Sequence, residues 1–361
     1  SILVVKPGGS SETQIFSSWI NALGQVIRVE DALLNTVDYS YDPLGNLQTT
    51  LVNNNVATQI DILHDLAGNK TYIKDPDAGI INFDYNGFGE LRKQTWQKGV
   101  SGVEKYITYD YDKLGRQTSR VDKPASGNSV AYSWVWDTKQ HGQLSSRSGN
   151  GFSEEYFYDG FSRLSRQIVT TAGLSAGEFV YTYDNFSRPE TVKYPNNFKI
   201  QRDYHVDGYQ VQTRDVTATS KVLWALGNTI DARGTFNNQL WGNGIVTQTG
   251  FDANSGRLSS IKSGRLSSTN SVTTLYGDIQ NLSYTFDSLG NLRSRTTART
   301  NDNGVALENI TESYSYDKLN RVTTSTTSGL FGRTQTYQYD TGGLGNLIHR
   351  SDVLTGTSFN N

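Results

Sequence analysis

The sequence contains no cysteine and no methionine, and only 6 of its 361 residues are proline. Without cysteine there can be no disulfide, no thiolate metal centre and no thiol nucleophile. The missing initiator methionine ahead of Ser1 reads as the mark of a processed piece or an excised fragment. No apolar run approaches the ~18 residues of a spanning helix. The opening SILVVKPGG has neither the length nor the flanks of a signal peptide. An excess of either charge is also absent: Lys plus Arg number 33 against 35 Asp plus Glu, a net charge of −2. That balance gives no electrostatic footprint for nucleic acid and no basic face for an anionic membrane. The glycines form neither a P-loop nor a dinucleotide fingerprint, and His64, His141, His205 and His349 stand too far apart for an H-E-x-x-H site.

What the chain does have is 21 Tyr, 14 Phe, 6 Trp and 35 Gly. Tyrosine suits a pleated, half-buried surface, and glycine supplies turns of positive φ. The combination indicates an all-β chain with many turns. A repeat organises it. The clearest copy is Tyr39-Ser-Tyr41-Asp42-Pro43-Leu44-Gly45-Asn46-Leu47. Further copies surround Asp65 with Gly68, Asn86 with Tyr85 and Gly89, and Asp112 with Tyr109, Tyr111 and Gly115. The pattern continues at Asp159 with Tyr156 and Tyr158, at Asp184 with Tyr181 and Tyr183, and at Asp287 with Tyr284 and Gly290. It returns at Asp317 with Tyr314 and Tyr316. Looser copies centre on Asp137, Asp207, Asp231, Asp252 and Asp340, the last with Tyr337 and Tyr339. Thirteen copies result, spaced 21 to 35 residues apart from Asp to Asp.

Each part of the motif has a physical reading. Alternation along a strand places both rings of Tyr39-x-Tyr41 on one face. Asp42-Pro43-Leu44-Gly45 fits a type I turn, and Gly45 in the left-handed region would add the bulge that lets such a turn close a hairpin. Ser162, Ser187 and Asn320 replace that glycine, and asparagine tolerates the conformation best after glycine. Leu47, Leu91, Leu164 and Leu292 restart the strand. Two strands per repeat give about 26 strands and a ribbon of roughly 125 Å. A sheet that wide must curl, and closing it leaves a space too wide for side chains to fill. The Ser- and Gly-rich segments 260–274 and 298–309 read as extended hairpin loops.

The recurring Y-x-Y-D-x-x-G-[RN]-L text resembles the YD repeats of the Rhs family, which includes bacterial Rhs polymorphic toxins, the B and C components of Tc toxins and the teneurin shell. The resemblance covers residues 39 to 347, and LWGNGIVTQTGFDANSGRLSSIKSG (240–264) resembles a segment found late in bacterial arrays. It implies a long, curved, spiralling antiparallel sheet, part of a hollow shell that sequesters a toxin payload. It further implies a secreted or cell-surface bacterial setting, with the rest of the parent shell and its enclosed toxin domain as partners. The family's DPxG pair, autoproteolytic aspartates, variable toxin tail and propeller-like part find no match, so autoproteolysis is not carried over. On this reading residues 1–361 form one array: an irregular edge at 1–35, about thirteen repeats over 36–347, and a tail at 348–361.

Candidate chemistry is thin. Gly173-Leu174-Ser175-Ala176-Gly177 matches a nucleophile elbow, but it lies between two β-type runs where a helix should follow. Asp75-Pro76-Asp77-Ala78-Gly79 opens like a calcium loop, yet Asn86 stands where a bidentate Glu is needed. No catalytic, metal or cofactor residue is assigned, and the repeated Asp reads as a turn cap. The sequons at Asn69, Asn185, Asn281 and Asn309 matter only in a eukaryotic secretory setting. Strand-periodic aromatics read as ladder packing, with Tyr158 and Tyr183 expected to be buried between neighbouring hairpins. Three alternatives stay open. One is a carbohydrate- or receptor-binding module. Another is a serine hydrolase using Ser175. The third is a β-propeller, with two repeats per four-stranded blade. Ser175→Ala is expected to leave ester and peptide hydrolysis at background, and loss of a genuine activity on that substitution would restore the hydrolase reading.

Overall fold

The computed structural model describes residues 2–5, 11–97, 105–227, 230, 233–269, 272–275, 278–301, 305–329, 332–340, 342 and 345–352. Asp231 and the end of the tail lie outside them. Among the described residues the chain is all strand and turn, apart from one 3-10 turn at Val56–Thr58. Two compact units are present, one of residues 19–28 and 36–201, the other of 1–18, 29–35 and 202–361.

In the first unit the chain runs as an antiparallel meander in which each strand pairs with its sequence neighbours. Thr36–Tyr41 pairs with Leu47–Val52, that strand with Ile60–His64, and so on without interruption to Pro189–Lys193 against Lys199–Tyr204. This continuity excludes the propeller, whose four-stranded blades would break the ladder at every second repeat. The second unit repeats the scheme from Gln210–Asp215 to Leu347–Arg350. There the twelve-residue strand Leu258–Thr269 runs past its neighbours, and its far end pairs with Val272–Leu275. That is the extended hairpin expected over 260–274. In the second such segment, Leu307 N–H returns to the Arg299 carbonyl at 2.9 Å. Ile2–Val5 and Ser11–Gln14 form a separate hairpin.

The two faces of the sheet differ as strand alternation requires. Along Val130–Trp136, the residues Val130, Tyr132, Trp134 and Trp136 are half-buried while Ala131, Ser133 and Val135 are exposed. On the opposite face, hydroxyls pair across strands: Ser40 with Thr49 at 2.6 Å, Ser133 with Ser148 at 2.9 Å, and Thr182 with the buried Thr191 at 2.8 Å. The buried apolar set is small: Ile62, Ile107, Val192, Ile200 and Val246. The chain exposes 22388 Å², against roughly 14,000 Å² for a compact monomer of its mass. Little of its stability can therefore come from a conventional core, and the hairpins must be fastened to one another by other means.

Candidate functional site

Among the described residues the repeated turn is the most organised side-chain feature that recurs along the sheet. In the copy at Asp42, the Asp42 N–H donates to the Asn46 carbonyl at 2.9 Å and the Gly45 N–H donates to the Asp42 carbonyl at 3.0 Å. The side chain completes the loop: Asp42 Oδ1 accepts from the N–H groups of Leu44 and Asn46, both at 2.9 Å. Gly45 sits at φ +88°. The pairing register slips between Ser40 and Tyr41, so that Tyr41 faces Leu47. This is the expected type I turn with a glycine bulge, and Ser162, Ser187 and Asn320 adopt φ of 62°, 64° and 62° at the glycine position.

A second element is the residue four places after the motif Asp. Asn46 Nδ2 donates to Asp42 Oδ2 at 3.0 Å, and Arg116 Nε to Asp112 Oδ2 at 2.8 Å. Arg163 and Arg321 bind Asp159 and Asp317 in the same way. Where the motif Asp becomes Asn86, the polarity inverts: Asn86 Nδ2 donates to Glu90 Oε2 at 2.6 Å. The same residue reaches forward to the next turn. Arg116 donates to Asp137, Arg163 to Ser187 Oγ at 2.9 Å, and Asn291 to Asn320 Oδ1 at 3.0 Å. A glycine at the bulge also leaves room for this arm, since a Cβ on Gly115 would lie 2.9 Å from Glu90 Oε1.

The third element is the second aromatic of the motif. Its polar tip donates to the carbonyl of the residue that restarts the strand after the preceding turn. Tyr41 donates to Val26 at 2.7 Å, Tyr85 to Lys70 at 2.9 Å, Tyr111 to Leu91 at 2.9 Å and Tyr158 to Leu144 at 2.7 Å. Tyr183 donates to Leu164 at 2.8 Å, Tyr316 to Leu292 at 2.7 Å and Tyr339 to Val322 at 3.0 Å. Trp136 achieves the same through its indole N–H, on Gln117 at 2.9 Å. The bulge explains why a carbonyl is free there: the ladder is interrupted at that point. Guanidinium groups of the preceding turn lie over these rings, Arg163 on Tyr183 at 4.4 Å and Arg321 on Tyr339 at 4.3 Å.

The expected aromatic ladder is corrected accordingly. Tyr158 and Tyr183 are half-buried rather than enclosed, and their links are hydroxyl-to-carbonyl bonds and cation–π contacts. Ring pairs among the described residues lie elsewhere, as in Phe179–Tyr194 and the stacked His205–Tyr209. The first aromatics stay on the same face: Tyr39, Tyr109, Tyr284 and Tyr314 are half-buried, Tyr181 donates to Gln167 at 3.0 Å, Tyr337 lies 3.4 Å from Gln335, and Tyr156 meets Glu154. Asp65, Asp184 and Asp287 cap their turns as Asp42 does, with Gly68, Gly89 and Gly290 at positive φ. At Asp340 the turn is wider, closing through Asn346.

The copy centred on Asp207 is shifted. Its turn opens at His205, whose N–H donates to the Tyr209 carbonyl at 2.8 Å, and His205 Nδ1 accepts from the Asp207 N–H at 3.3 Å. A further copy opens at Asn21, with Gly24 at φ +79° and Asn21 Oδ1 accepting from Leu23 and Gln25. The spacing to Gly24 was a usable signal, but Trp19-Ile20-Asn21 hides the motif. Ser175 lies in the turn joining Leu164–Thr171 to Gly177–Tyr183, with no helix after it, and Asp75 Oδ1 caps its own turn at Asp77 and Ala78.

A profile of the RHS Repeat matches residues 21–55, which hold the turns at Asn21 and Asp42. Over that stretch the chain is similar to an Rhs repeat. No curated protein matches the sequence. Among solved structures, the Photorhabdus luminescens Tc holotoxin pore with a TccC3 mutation aligns over 92% of this chain and 18% of its own, at TM-score 0.73 and 18% identity. The TcdB2-TccC3-Cdc42 crystal structure aligns over 90% of this chain and 20% of its own, at TM-score 0.65 and 17% identity. TcdB2-TccC3-TEV gives 90%, 19%, 0.66 and 17%. This chain thus shares the fold of those proteins and spans about a fifth of their length.

Two outcomes follow from the turn chemistry of the repeats. Tyr158→Phe should cost about 1 kcal/mol for the lost bond to Leu144. Tyr158→Ala should cost about 3 kcal/mol, at the low end for an aromatic because the ring is half-buried. Denaturant titration reads both, and an unchanged midpoint for Tyr158→Ala would show that the ring fastens nothing. The second concerns acid. The side-chain bond from Asn46 holds the Asp42 carboxyl below its ordinary value of 3.8, as Asn69 does for Asp65 and Arg116 for Asp112. Asp137, gripped by Arg116 and then by the Gly142 N–H, is held at about 2. A folded value below the unfolded one stabilises the protein above the unfolded value and is lost as pH falls through the folded value. The thermal midpoint should therefore be flat down to about pH 5 and decline between about pH 4 and about pH 2, with Asp137→Asn blunting the lowest part. These carboxyls are solvent-exposed, so added salt should shrink the effect.

Proposed function

We propose that the chain is a length of wall from an exported bacterial Rhs-type or toxin-complex shell, and that it helps to sequester a toxin payload. The observation that carries this reading is the side-chain ladder at the repeat turns. It fastens each hairpin to the one before it without needing a second layer of sheet. A sheet built this way can be extended indefinitely, leaves one face polar and open, and suits an enclosing surface rather than a compact reaction site. The fold shared with TcdB2-TccC3 structures supports the same reading. In it the chain is a structural element and not an enzyme, its partners being the remaining shell and the enclosed toxin domain. No helix among the described residues is long and apolar enough to cross a membrane.

Two measurements test the proposal. Small-angle scattering from this chain should give a radius of gyration above the roughly 21 Å of a solid domain of its length. Protease treatment of the whole gene product should leave its toxin segment uncut alongside residues 36–347. A toxin segment degraded at the rate of a free peptide would overturn the enclosing role, and specific binding on a glycan array would favour the binding-module reading instead.

A further inference from the structure

Asparagine followed by glycine is the pair in which a side-chain amide is most open to attack by the backbone, because glycine has no Cβ to obstruct the approach of its own nitrogen. The chain holds four such pairs, at Asn86, Asn150, Asn243 and Asn303, and the last lies outside the described residues. The other three sit in turns that treat them differently. Asn86 is held through both side-chain atoms. Its Oδ1 accepts from the N–H groups of Phe88 and Glu90 at 2.9 and 3.0 Å, and its Nδ2 donates to Glu90 Oε2 at 2.6 Å. At Asn243, Oδ1 accepts from the Ile245 N–H at 3.2 Å. The attacking group there, the Gly244 N–H, already donates to the Trp241 carbonyl at 2.9 Å.

Asn150 differs on both counts. Gly149 opposes Phe152, so Asn150 and Gly151 make up the whole loop of a two-residue hairpin. Their φ values of 48° and 78° are the two positive angles of a type I′ turn. Both residues are exposed. Neither the Asn150 carboxamide nor the Gly151 N–H takes part in a hydrogen bond with the described residues. Electrophile and nucleophile are therefore adjacent, open to water and unengaged. The backbone around them has little freedom to rearrange. The Gly151 carbonyl accepts from the Ala172 N–H of the next turn at 2.7 Å, and Gly149 lies so close to Tyr132 that a Cβ there would collide with the ring.

We propose that Asn150 is a site of spontaneous modification, converted by water to aspartate and isoaspartate through a cyclic imide. The Gly151 nitrogen gives up its proton to solvent and bonds to Asn150 Cγ, the Cγ–Nδ2 bond breaks, and ammonia leaves. One water then opens the ring. Addition at Cγ yields aspartate, and addition at the Asn150 main-chain carbonyl carbon yields isoaspartate. Neither branch involves oxidation or reduction. Both products carry a new negative charge. Isoaspartate also inserts a methylene into the main chain, which breaks the geometry that a two-residue loop requires. At Asn86 the same conversion would set a second carboxylate against Glu90 in place of a donor, and the bonds that hold Asn86 oppose it. This inference stands apart from the shell reading, since it concerns the chemistry of one hairpin and not what the sheet encloses.

The test is incubation of the full chain in mildly alkaline buffer, followed by digestion in acid and peptide mapping by mass spectrometry. In the folded chain, conversion should be at least tenfold faster at Asn150 than at Asn86 or Asn243. In the urea-unfolded chain the three rates should converge, because the turns that distinguish them are gone. Conversion of Asn86 or Asn243 as fast as Asn150 in the folded chain would overturn the proposal. So would an equal preference for Asn150 in the unfolded one, since the fold would then play no part. The variant Asn150→Asp carries the charge without the extra methylene, so its thermal midpoint should stay close to that of the fresh chain. Chain enriched in isoaspartate at this position should melt lower than that variant, and coincident melting of the two would overturn the predicted effect on the hairpin.

Discussion

The bond from the second motif aromatic to a carbonyl of the preceding repeat, 2.7 to 3.0 Å long where it forms, is what the rest of the sheet depends on. A single layer has no facing layer to hold it, and main-chain pairing alone leaves strands free to slip. The bulge frees a carbonyl, and the aromatic immediately before the next motif Asp is long enough to reach it. Because each bond spans two consecutive hairpins, it fixes register as well as adding energy. Phe286 lacks the hydroxyl, and there the Arg257 guanidinium lies over the ring at 5.9 Å and within 3.4 Å of the Asp287 carbonyl. The turn arm takes over part of the fastening where the aromatic cannot provide it.

The arm obeys a second constraint, matched donors and acceptors within a turn. Asp42 with Asn46, Asp112 with Arg116 and Asn86 with Glu90 are three chemically different pairs in one geometry. In each, the first side chain must keep one oxygen for the backbone N–H groups of the turn. Its second atom is then free to be acceptor or donor, provided the partner is the complement. The left-handed residue is subject to the same rule from the other side. Glycine answers the arm only through its backbone, as where Gln25 Nε2 donates to the Gly45 carbonyl at 3.1 Å, whereas Ser187 and Asn320 answer it with a side-chain acceptor. Replacement of glycine at these sites therefore reflects more than tolerance of positive φ.

Most of the fold was legible because turn chemistry is local. Asp42, Gly45 and the alternation of Tyr39 and Tyr41 specify hairpin, bulge and face from nine consecutive residues. The fastening was less legible because it is non-local. Nothing in the text of one repeat says that Tyr158 will reach Leu144, or that Arg163 will touch Ser187 twenty-four residues later. The glycine substitutes were explained by conformation alone, which missed their role as acceptors. The turn at His205 was misplaced by two residues because an imidazole and a stacked Tyr209 stand in for the Asp–Arg pair. Asn21 escaped notice because asparagine supplies the cap without the carboxylate that the pattern leads one to seek.

A sheet fastened only between neighbours behaves as a one-dimensional array. Its stability is set by nearest-neighbour links, and damage to one rung is felt locally. The ends of such an array are its weak points, since the last hairpin has a neighbour on one side only and its edge is unpaired. Exposed Ile15, Phe16 and Ile20 near the first turn fit that condition. The exposed apolar residues at the third turn position, such as Leu44, Phe88, Phe161 and Phe186, differ in kind, because they recur with the repeat itself. The same turn position is partly covered at Leu289 and Leu319 and bare at Phe161 and Phe186. One turn geometry thus supports two surface states.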